Sequence, residues 1–128
     1  MSTTKNIEAG PIAACVAAVD RIENALDEYA AGWKNTDALS IIGTAIREIG
    51  HRVNFGVEGY RMCVDGHVFE FDHGYAREKL SSLKEEVDAL YSPRKHERWG
   101  GVDTVKRHAR SNCCKLRSYF SRPWLQIV

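Results

Sequence analysis

The pair Asp65-Gly66 restricts this chain more than any other feature. It is the two-residue signature of a type I′ turn, whose central residues both need φ > 0; glycine adopts that freely and aspartate tolerates it. Closing the turn sets the register of the stretch Glu58–Asp72. Val64 falls opposite His67, Cys63 opposite Val68, Met62 opposite Phe69, Arg61 opposite Glu70 and Tyr60 opposite Phe71. Side chains alternate along a strand, so Tyr60, Met62, Val64, His67, Phe69 and Phe71 share one face, which is expected to be covered. Arg61 and Glu70 face each other on the opposite side as a cross-strand ion pair, beside Cys63 and Val68. An isolated hairpin is marginal in water. The apolar tail Trp124–Val128 is therefore expected to add a third strand.

On either side of the hairpin the apolar period changes from two to about 3.6. Pro11 stands at a first helical position, where its missing N–H costs nothing. Ile12, Cys15, Val19, Ile22, Leu26, Tyr29 and Trp33 follow in alternating steps of three and four, a heptad-like seam on a helix of about six turns. Asp20, Glu23, Asn24 and Asp27 make the other side acidic. Gly32 reads as the stop and Asn35 or Thr36 as the next cap. Leu39, Ile42, Ile46, Ile49 and Val53 form a second seam, with Ile41 and Ala45 as an extra apolar edge and a stop between Asn54 and Gly56. Two seams joined by a short loop imply an antiparallel helical hairpin over residues 11–54, followed by the β-hairpin over 57–72. Asp72 can cap a third helix over 73–92, with the seam Ala76, Leu80, Leu83, Val87 and Leu90, ended by Ser92-Pro93. Gly101 or Asp103 opens a fourth helix whose stripe is Val105, Ala109, Cys113, Leu116 and Phe120, stopped by Pro123. The first ten residues are polar and read as loose. The pattern is a single α+β domain.

The charge is uneven. Residues 1–92 hold 9 Lys/Arg against 15 Asp/Glu, whereas residues 93–128 hold 9 against 2, although the whole chain carries only +1. Such asymmetry points to a basic binding arm, or to basic and acidic parts that neutralise each other. No apolar run is long enough to span a membrane. The four cysteines, at 15, 63, 113 and 114, form no CxxC pair and are expected to be free thiols. Ile12-Ala13-Ala14-Cys15 imitates a lipoprotein cleavage box, but the helical pattern runs through it, and the chain reads as cytoplasmic.

Three site readings follow. Lys106, Arg107, Arg110, Lys115 and Arg117, with Trp99 for stacking, form a surface suited to phosphate, so nucleic acid or a nucleotide is one partner class. The acidic face of the first helix and the Glu85, Glu86, Asp88 patch of the third suit a basic groove on another protein. In size and charge alone, that profile matches intracellular inhibitors carried by phages and mobile elements. His67 and His73, with Glu70 and Asp72, are the candidates for metal or acid–base chemistry, but their directions diverge. The expectation is a non-enzymatic inhibitor or adaptor that needs no cofactor and binds another protein, host-derived in that comparison, with nucleic-acid binding as the alternative. The regular seams exceed what one hairpin covers, which favours a homo-oligomer, a dimer with the first or second helix at its interface. No motif assigns the chain to a family.

Overall fold

All four apolar stripes turn inward onto one another. The computed structural model describes residues 4–6, 10–29, 36–57, 59–92 and 97–127. Its elements are β1 (Thr4–Asn6), α1 (Pro11–Glu28), α2 (Thr36–Phe55), β2 (Tyr60–Val64), β3 (His67–Glu70), α3 (His73–Tyr91), α4 (Val102–Phe120) and β4 (Leu125–Ile127). The helices pack as a ring, α1 on α2, α2 on α3, α3 on α4 and α4 back on α1. Each helix has one strand beside it in sequence, and all four strands belong to one antiparallel sheet in the order β1-β4-β2-β3. The sheet therefore lies at one end of the ring, and successive helices alternate in direction.

The expected seams form the core. Ile12, Cys15, Val19, Ile22 and Leu26 of α1, Leu39, Ile42, Ile49 and Val53 of α2, Leu83 and Val87 of α3, and Val105, Cys113 and Leu116 of α4 are all buried. Ile41, the extra edge of α2, is exposed, whereas Ala45 beside it is buried. Asp72 caps α3 by accepting the N–H of Tyr75 at 3.0 Å. Gly101 precedes α4 at φ 102°, a backbone state that side chains disfavour. The proposed Gly32 stop, the cap at Asn35 and Trp33 lie outside the described residues, as do Pro93 of the stop after the third helix and the Arg94 and Lys95 that follow it.

The turn has the expected form, with Asp65 at φ 51° and Gly66 at φ 78°, and the β2–β3 register is the one that turn dictates. The tail does join the sheet: Leu125 pairs with Arg61 and Gln126 with Tyr60. It also pairs with Thr4–Asn6, three residues within the stretch expected to be loose. That triplet has no apolar alternation, so nothing local marks it as a strand.

The hairpin's apolar face is a correction. Only Tyr60 and Phe71, at its root, are buried; Met62 is half-buried, and Val64, His67 and Phe69 are exposed. Cover comes from an aromatic knot rather than from a helix along the whole strand. Phe71 stacks on Phe120 at 6.0 Å and meets Tyr119 and Trp124 at 5.1 and 5.2 Å. The Trp124 indole N–H donates to the Tyr119 carbonyl at 2.7 Å, and the Asp72 N–H donates to the Tyr119 hydroxyl at 2.6 Å. The root is clamped and the tip projects.

Candidate functional site

The basic helix does not stand free. Arg117 lies against the acidic side of α1, its Nε and Nη2 donating to Asp20 at 3.0 and 2.5 Å and its Nη1 to Glu23 at 2.6 Å. Arg110 pairs with Asp27 one turn further along α1. Lys106 donates to the Tyr29 carbonyl at 3.1 Å, where α1 ends. Three of the five cations expected to grip phosphate are thus engaged within the chain. The physical reason is direct: the acidic stripe of α1 and the basic stripe of α4 flank the seams by which these helices pack, so the two charges meet at the rim of the same interface. Arg107 and Lys115 are exposed and make no ion pair among the described residues. Trp99 is exposed and meets His108 edge-on at 6.4 Å.

The hairpin arm is a second surface. All four residues of β3 are exposed, Val68 by 63% and Phe69 by 47%. Among the described residues its one neighbour in the sheet is β2, and its other edge meets no described strand. The Phe71 N–H donates to the Tyr60 carbonyl at 3.0 Å. Hydrogen-bonded and non-hydrogen-bonded pairs alternate along an antiparallel ladder, so His67, Phe69 and Phe71 point their backbone groups at β2. Val68 and Glu70 present theirs outward. Arg61 and Glu70 form the expected ion pair at 3.2 Å.

His67 sits on that exposed arm, and His73 packs edge-on against Phe71 at the start of α3. Among the described residues no group of three or more His, Cys, Asp or Glu converges as a metal site would require.

Glu86 departs most from expectation. Residue type sets it beside Glu85 and Asp88 as a surface acid, yet it is only 3% exposed, the one buried charged side chain among the described residues. It accepts a hydrogen bond from the Asn112 amide of α4. Burial pushes its carboxyl above the ordinary 4.5, and Glu85 adds to the rise, while Asn112, His108 and Lys115 oppose it. The sequence did contain a signal. Glu86 lies three residues after Leu83 and four before Leu90, and Asn112 three after Ala109 and four before Leu116. Both therefore sit on their helix's packing side.

Fold and surface together define a small α+β domain whose oppositely charged helix faces meet internally and whose hairpin stands out from the body. No protein-family model matches this chain, and neither a curated protein nor a solved structure is significantly similar to it. No helix among the described residues is long and apolar enough to cross a membrane.

Proposed function

We propose that this chain is a non-enzymatic binding protein, an inhibitor or adaptor acting in the cytoplasm, and that it takes an extended segment of another protein along the open edge of β3. The observation that carries this reading is the uncovered arm. An edge strand with free backbone donors and acceptors is a template for strand addition, and alternate side chains then supply selectivity. Val68 and Phe69 point to opposite faces, so a guest strand finds apolar surface on both sides. The contact is thereby moved from the charged helix faces, which are turned towards each other, to the hairpin.

The test is selection of short peptides against the folded chain, followed by hydrogen exchange on the complex. Strand addition slows exchange of the Val68 and Glu70 amides, and Val68→Lys with Phe69→Asp abolishes binding while the melting temperature stays near that of wild type. Ligands that bind the double variant as well as wild type would refute the reading. A concentration-dependent dimer lost in the same variant would make the guest a second copy of this chain. The nucleic-acid alternative rests on exposed Arg107 and Lys115. It expects a salt-steep gel shift lost in Arg107→Glu/Lys115→Glu.

A further inference from the structure

Glu86 borders a recess of about 230 Å³ between α3 and α4, lined by Ser82, Glu85, Glu86, Trp99, His108 and Asn112. Three properties of this lining point the same way. The first is charge. A buried carboxylate is costly unless an opposite charge offsets it, and among the described residues Glu86 is hydrogen-bonded by a neutral amide, with His108 and Lys115 close enough to offset part of its charge but neither in an ion pair with it. Glu85, the adjacent carboxylate, adds negative potential at the same opening. The second is hydrogen-bond polarity. With one Asn112 amide N–H donated to Glu86, its carbonyl oxygen remains an acceptor beside the two carboxylates, which outweigh the donors that the Ser82 hydroxyl and the His108 ring can supply. Such a lining suits a ligand rich in donors. The third is the indole of Trp99, an aromatic surface of the kind that favours cations and the methylenes next to them.

We infer that this recess binds an organic cation, a guanidinium or primary ammonium head on a short aliphatic stem, with the head at Glu86 and the stem against Trp99. The volume falls below the roughly 300–1,000 Å³ of pockets that enclose a whole drug-sized ligand. It therefore accommodates a head group. A free polyamine-type molecule and an arginine or lysine side chain of another protein offer the same chemistry. This site is separate from the hairpin arm and stands or falls independently of it.

The probes are n-butylguanidinium and n-butylammonium for the head group, agmatine for a free amine and N-acetyl-arginine amide for a protein side chain. The readout is the Trp99 indole N–H resonance, assigned by Trp99→Phe, in mildly alkaline buffer, which favours the Glu86 carboxylate over its neutral form. At least one cation should shift that resonance saturably, with affinity in the millimolar range or tighter. Glu86→Gln keeps an acceptor for Asn112 and the fold, but should weaken binding by about tenfold or more, as loss of one charged partner does. Tighter binding of agmatine assigns the site to free amines, and tighter binding of the arginine amide assigns it to a protein side chain. Equal affinity in the folded Glu86→Gln protein, or no saturable shift with any probe, overturns the inference.

Discussion

Replacing Arg117 by methionine tests whether the two charged helix faces are spent on each other. The guanidinium makes three hydrogen bonds to two carboxylates, and its side chain is 32% exposed, against 54% for Asp20 and 25% for Glu23. Exposed ion pairs contribute about 0.2–1 kcal/mol each, and well-formed charge-assisted hydrogen bonds rather more. Solvent screening at this partly covered rim places the sum at about 1–2 kcal/mol. Asp20 and Glu23 also lie three residues apart on α1, so removing their shared cation restores a like-charge repulsion. For a domain of this size that loss lowers the melting temperature by about 3–8 °C. Urea unfolding in low salt, and again at about 1 M salt where the screening length falls to about 3 Å, measures it. The deficit should shrink in high salt, and a double-mutant cycle with Asp20→Asn should show coupling. Two results would refute the reasoning: a low-salt stability equal to wild type, or loss of nucleic-acid binding by a variant whose stability is unchanged.

Three further outcomes are expected. Trp124→Ala should cost about 3–5 kcal/mol, the range for deleting a large buried aromatic, because it removes the ring against Phe71 and Tyr119 and the indole bond to the Tyr119 carbonyl; a urea midpoint near wild type would show that the tail is not structural. Glu86→Gln should gain on wild type as pH rises: with the folded carboxyl raised above 4.5, the charged form is penalised only in the folded state. The pH-dependent part of the difference is absent well below 4.5, develops as pH rises from there through the folded-state value and then levels off, and paired melting curves across pH read it directly. Maleimide at neutral pH should label Cys63 and Cys114, which are exposed, and spare Cys15 and Cys113, whose buried thiols are pushed up to about 12; a third label on the folded protein by mass spectrometry would contradict this.

The hairpin could be read from sequence because its information is local. A turn with two left-handed residues sets the register, and period-two alternation sets the faces. The helix seams were legible for the same reason, since a stripe such as Leu39, Ile42, Ile46, Ile49 needs no knowledge of its partner. What escaped depends on which surfaces meet. Arg110 and Asp27 are 83 positions apart, and Arg117 and Asp20 are 97 apart; no window along the chain shows that those stripes border one interface. The uncovered arm escaped because an apolar face in sequence states a need for cover without stating what is available. The helices are already occupied with one another, and the aromatic residues at the root reach only as far as Tyr60 and Phe71. Glu86 was misplaced by residue type alone, although its spacing within the seam argued for the interior.

The position of β4 has a consequence for how this molecule is made. It follows every other element in the chain, yet it lies between β1 and β2. β1 and β2 meet only through it among the described strands, so Thr4–Asn6 finds its partner strand once residues 125–127 have docked. The C-terminal strand thus joins the two halves of the sheet, and a chain shortened before Trp124 would part β1 from the β2–β3 hairpin and also remove the ring that clamps the hairpin's root.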